Sequence, residues 1–129
     1  MKICISSTGP SEDSQVSPVF GRCPYFLIFD EEKEEFAVVK NNARQVVRGA
    51  GIAASQQVSD LGCQILITGN IGPNAFLALN QAKIKVFKGE FGKKIKEVLE
   101  DFKKGKLVEI KTPIGRFGFR RRGKGGWRW

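Results

Sequence analysis

The run Cys63-Gln64-Ile65-Leu66-Ile67-Thr68 limits the possible folds more than any other stretch of the chain. It is apolar almost without interruption, as a strand must be when both faces of its sheet are covered. What flanks it supplies the covering. Before it, a helix begins near Gly49–Gly51 and runs to Leu61, with Ile52, Ala53, Val58 and Leu61 leaving a partial apolar stripe and Gly62 as its stop. After it come the loop 69–74, "GNIGPN", and a short helix over Ala75–Ala82 with Pro73 near its first turn. A strand follows at 84–89, then "GKKIKEVLEDFKKG" with Ile95, Val98, Leu99 and Phe102 at helical spacing. Residues 106–111 predict a final edge strand, and Pro113 closes the domain. Strand, helix, strand, helix in that order predicts an α/β fold with a largely parallel central sheet.

The first third is different in character. "KICISS" (2–7) alternates as a strand and ends in the loop "TGPSEDS". "YFLIFD" (25–30) and "FAVVK" (36–40) are two further strands, joined by the charged connection 31–35 into an antiparallel hairpin.

At 129 residues the chain reads as one domain. It has no apolar run long enough for a membrane span, and its N-terminus has no secretory h-region, so a cytoplasmic protein is expected. Histidine is absent, which removes Ser-His-Asp and Cys-His catalysis and most zinc chemistry. The cysteines Cys4, Cys23 and Cys63 are odd in number and lack CxxC spacing, against both a disulfide framework and a closed zinc site. The acids form no paired-carboxylate motif, so no enzymatic activity is expected.

Net charge is +9, yet residues 114–129 hold six Lys/Arg and no acid, while residues 1–113 carry only +3. The sequence therefore divides into a domain over 1–113 and a basic tail over 114–129. In the tail, Arg120, Arg121 and Arg122 lie among Phe117, Phe119, Trp127 and Trp129, a mixture of cation and stacking surface that suits single-stranded nucleic acid. A solvated, disordered extension is the plainer reading of the same residues.

Three glycine-rich segments fall near strand ends and helix starts: "SPVFGRCPYF" (17–26), "RGAGIAAS" (48–55) and "TGNIGPNA" (68–75). In an open α/β sheet such positions gather around a ligand, and helix starts offer N–H donors to an anion. "GAGIAA" fits a dinucleotide fingerprint, but no acid stands about 20 residues on to hold a ribose. Cys4 and Cys63 read as small buried residues. Cys23 lies in a loop beside Arg22, whose charge favours thiolate, and for it a structural and a ligand role both stay open.

These three segments, in this order, resemble the dinitrogenase iron–molybdenum cofactor biosynthesis family, which includes the molybdenum–copper orange protein. The likeness covers about residues 1–112. It implies a three-layer α/β/α fold with a mixed five-stranded sheet and a ribonuclease-H-like motif. It also implies binding or carriage of an anionic metal–sulfur cluster or its precursor (an iron–sulfur, iron–molybdenum or molybdenum–copper sulfide cluster), with a cluster donor or acceptor protein as partner. Carried onto this chain, the binding residues would be Phe20, Gly21, Arg22 and Cys23; Gly49, Ala50 and Gly51; and Gly69, Asn70, Gly72 and Asn74. Cys23 would be the candidate metal ligand. The alternatives are a nucleic-acid-binding protein acting through residues 114–129, or a small-anion or nucleotide-binding regulator using the same loops.

Overall fold

In the computed structural model, which describes residues 1–43 and 48–112, alternation along β1 (Lys2–Ser7) sends Ile3 and Ile5 into one buried cluster and Cys4 into another. β4 (Ile65–Thr68) does the same, with Ile65 and Ile67 on one face and Leu66 on the other. That is why its sequence is apolar throughout. β2 (Tyr25–Asp30) and β3 (Glu35–Lys40) form the expected antiparallel hairpin, with β2 also antiparallel to β1. β1 and β4 run parallel, as do β4 and β5 (Lys85–Lys88).

The sheet order is β3-β2-β1-β4-β5-β6, with β6 (Val108–Ile110) antiparallel to β5. The described residues thus form a mixed sheet of six strands, not the five that the family likeness implied. The sixth is only three residues long, but Ile110 pairs with Val86 and is buried with it in the core.

Three helices cover the two faces. α1 (Ala50–Asp60) and α2 (Pro73–Gln81) bury Ala54, Val58, Phe76 and Leu79 against Cys4, Phe26, Ile28, Leu66 and Val86. α3 (Ile95–Lys103) buries Ile95, Val98 and Leu99 against Ile3, Ile5, Leu27 and Ile67 on the opposite face. Each such aliphatic side chain contributes about 1.5–3 kcal/mol relative to exposure. α2 starts two residues before the predicted Ala75, because proline suits the first helical position, where no N–H is needed. No described helix is long and apolar enough to cross a membrane.

Candidate functional site

β1 and β4 are parallel neighbours, and the segments leaving their C-terminal ends meet above them. The first segment is anchored to the end of β1, where Ser17 N–H donates to Ser6 O at 2.9 Å. It then zips onto the segment after β4: Asn70 N–H donates to Pro18 O at 2.8 Å, and Phe20 N–H donates to Asn70 O at 3.0 Å. Directly beneath, the buried hydroxyls of Ser6 and Thr68 bond to each other at 2.7 Å.

Two close approaches require glycine. A Cβ on Gly69 would stand 2.7 Å from Ser17 O, and one on Gly21 would stand 2.9 Å from Gly51 N. The first brings loop to loop, the second brings the loop onto the first turn of α1. α1 and α2 are in turn tied at their starts by Ser55, whose hydroxyl faces Gly51 O at 2.7 Å and Ala75 O at 3.2 Å.

Between the three segments lies a cavity of about 320 Å³. Val19, Phe20, Gly21 and Arg22 line one side; Gly49, Ala50, Gly51 and Ile52 the second; Asn70, Ile71, Gly72, Pro73, Asn74 and Ala75 the third. Both helices start at this cavity and neither has a side-chain cap. Their first internal bonds are Ala53 N–H to Gly49 O and Phe76 N–H to Gly72 O. The N–H groups of Ala50, Gly51 and Ile52, and of Asn74 and Ala75, therefore have no intrahelical acceptor. Aligned peptide dipoles place partial positive charge at the same ends. Arg22 is exposed on the first side.

Several carbonyls at or beside the cavity are already engaged. Pro18 O, Asn70 O, Gly49 O and Gly72 O accept backbone N–H groups, Gly51 O accepts Ser55 Oγ, and Gly21 O accepts Asn41 Nδ2 at 3.1 Å. Gly69 O and Asn70 Oδ1 accept Lys88 Nζ at 2.9 and 3.0 Å. The walls offer chiefly donors, positive charge and the apolar surfaces of Val19, Phe20, Ile52 and Ile71, with the Asn74 amide able to donate or accept. Such a surface is matched to a large anion with soft, weakly hydrated edges.

A model of the family described as "Dinitrogenase iron-molybdenum cofactor" matches residues 1–105. The chain belongs to that family. An uncharacterized protein of Methanocaldococcus jannaschii is 33% identical over 113 residues, spanning 85% of this chain and 92% of its own length. Among solved structures, the apo form of the orange protein from Desulfovibrio gigas superposes with a TM-score of 0.83 at 33% identity, covering 87% of this chain and 94% of that one. A NifB-like protein of Thermotoga gives 0.76 at 35% identity, over 86% of this chain and 94% of its own. Membership supports a cofactor-related role.

Set against the family-derived site, the cavity brings together Phe20, Gly21, Arg22, Gly49, Ala50, Gly51, Asn70, Gly72 and Asn74. Two residues are not among its walls. Gly69 is turned into the loop–loop contact, where its missing side chain allows the close packing. Cys23, the candidate thiolate ligand, is fully buried in the α1/α2-side core. The cause is Asn41, itself buried, whose Nδ2 donates to Cys23 O at 2.8 Å and approaches Cys23 Sγ at 3.7 Å. This pulls the residue after Arg22 inward while Arg22 stays outside. Among the described residues, no three His, Cys, Asp or Glu side chains assemble into a metal-holding group.

Sequence reasoning missed Asn41, Ser55 and Lys88, whose bonds to other segments span 18 or more residues and carry no local motif. Lys88 is half-buried, and burial holds its ammonium below the ordinary lysine value. Cys4 and Cys63 lie in the same core layer. Burial pushes the Cys4 thiol well up, and the hydrogen bond from Cys4 holds Cys63 below its usual value. The tail, residues 114–129, and with it the nucleic-acid reading, lies outside the described residues.

Proposed function

We propose that the protein is a non-catalytic binding or carrier protein for an anionic metal–sulfur cluster or its precursor, held without protein–metal bonds in the cavity between the three glycine-rich segments. The observation that carries the reading is the convergence of two uncapped helix starts on one cavity, several of whose wall carbonyls are engaged. Arg22 contributes full charge at the mouth, and the apolar walls contact the sulfide edges of the cargo. Family membership and the likeness to the orange protein add support for a cluster as cargo. A nucleotide offers sugar hydroxyls that need acceptors, and the carbonyls of Gly21, Gly49, Gly51, Asn70 and Gly72 are already engaged.

The test is anaerobic reconstitution with iron, molybdate, copper and sulfide, followed by gel filtration. Visible absorption should travel with the protein and weaken several-fold in Arg22→Met, in keeping with one lost charge-assisted contact. Protein that elutes colourless under every metal combination would remove the proposal, and displacement of bound colour by ATP alone would favour the regulator reading.

A further inference from the structure

Lys88 sits behind the cavity wall, not in it, and its environment is unusual for a lysine. It ends β5 opposite Thr68, half-buried, and among the described residues no carboxylate lies within ion-pair distance of it. Its two acceptors are both neutral: Gly69 O at 2.9 Å and Asn70 Oδ1 at 3.0 Å. A lysine ammonium has three donors and no acceptor. It therefore dictates which end of the Asn70 amide faces it, and that end is the oxygen. The amide nitrogen, with two N–H donors, is left for the other side.

Asn70 is also a cavity-wall residue. Left to itself, its amide would turn either way and offer an oxygen as readily as an NH₂. We infer that Lys88 is a positioning and specificity-determining residue: by holding Asn70 Oδ1 it takes that acceptor out of the wall, leaves the amide N–H groups for the cavity and biases the site toward proton-free anions. This rests on the anion-binding reading above and goes further, because it says which anions are refused. An anion that keeps a proton brings an O–H donor that finds no acceptor on Asn70, and burying an unmatched polar hydrogen opposes binding. A fully deprotonated oxo or thio anion carries no such group.

Molybdate and inorganic phosphate at mildly alkaline pH separate these cases, being tetrahedral dianions of similar shape of which only phosphate retains a proton. Equilibrium dialysis of the full chain against each should show molybdate preferred by roughly tenfold, the cost of one unmatched donor. In Lys88→Met the Asn70 amide is free to turn, so molybdate weakens, phosphate is nearly unchanged, and the preference collapses toward unity. A purely structural lysine would weaken both anions alike and leave the ratio intact, and that result overturns the inference while sparing the binding reading. Should Lys88→Met fail to fold, Asn70→Ser at an exposed position carries the same prediction for the ratio, because a hydroxyl accepts as readily as it donates. In the double variant, Lys88→Met should change the ratio no further. Wild-type protein that binds neither anion overturns the inference and the site together.

Discussion

Replacing Gly69 by alanine tests whether the candidate site depends on backbone-to-backbone packing of its loops. An added Cβ would stand 2.7 Å from Ser17 O, 2.9 Å from Pro18 O and 3.1 Å from the Pro18 carbonyl carbon. All three are backbone atoms, so no side chain can swing aside. Restoring ordinary contact requires the two loops to part by about 0.5–0.7 Å. The bonds between them, 2.8 Å from Asn70 N–H to Pro18 O and 3.0 Å from Phe20 N–H to Asn70 O, then stretch to the edge of useful geometry. Overpacking of this kind costs about 1–3 kcal/mol, and each weakened bond adds up to about 1 kcal/mol. Stiffening of the unfolded chain returns about 0.4–1 kcal/mol. The net expectation is about 2–4 kcal/mol, or a fall in Tm of about 8–16 °C for a domain of this size. Gly72→Ala is the control, since a Cβ there meets nothing within 4 Å and φ is −76°. It should cost no more than about 1 kcal/mol, as a glycine N-cap is exchanged for a poorer one. Thermal melts followed by far-UV circular dichroism compare the two. Equal melting of the two variants would falsify the packing argument, because only the contacts at Gly69 distinguish them.

Cys23→Ala should leave the visible spectrum of reconstituted protein unchanged while lowering stability by about 1 kcal/mol for lost sulfur packing; loss of colour in folded C23A protein would restore the cysteine as a ligand. Asp101 and Asp13 are held below the ordinary carboxylate value chiefly by hydrogen bonds from Lys93 and Lys96, at 2.7 and 2.8 Å. Depressed folded values mean that both pairs stabilise above the unfolded carboxyl pKa of about 3.9 and lose that contribution as pH falls through the folded values. Urea midpoints should accordingly drop on acidification below about pH 4, and Asp101→Asn should flatten that limb; an unchanged acid limb in D101N would show that the pair contributes nothing. The Lys96–Asp13 pair is exposed and the Lys93–Asp101 pair still partly solvated, so the effect at neutral pH should be small.

How far the sequence discloses this molecule depends on the range of the interaction concerned. The strand at Ile65–Thr68 and the helix Ile95–Lys103 are legible because burial on two faces, or on one stripe, writes itself into adjacent residues. The strand Val108–Ile110 is legible too, and the five-strand expectation erred only by taking the count from relatives. Cys23 is the instructive failure. Pro24 and Gly21 mark its segment as a loop, and loops usually lie outside; what buries the thiol is an amide 18 residues further on. Lys88 fails for the same reason, since nothing around "KVFKG" signals that its ammonium reaches a loop 18 residues earlier.

The location of the cavity was more legible than its chemistry, and topology explains why. From β1 the chain passes to β2 on one side of the sheet, whereas from β4 it passes through α2 to β5 on the other. Connections that depart in opposite directions from neighbouring parallel strands must leave a crevice at the strand ends. Glycines at 21 and 69 then let loops close over that crevice by backbone contact, which leaves two helix starts beside Arg22, Asn70 and Asn74 as its polar lining. A site built this way gives little room for the histidines and cysteines that announce a coordinated metal. On the binding role proposed above, the ligand is recognised instead as a whole anion, by charge and shape.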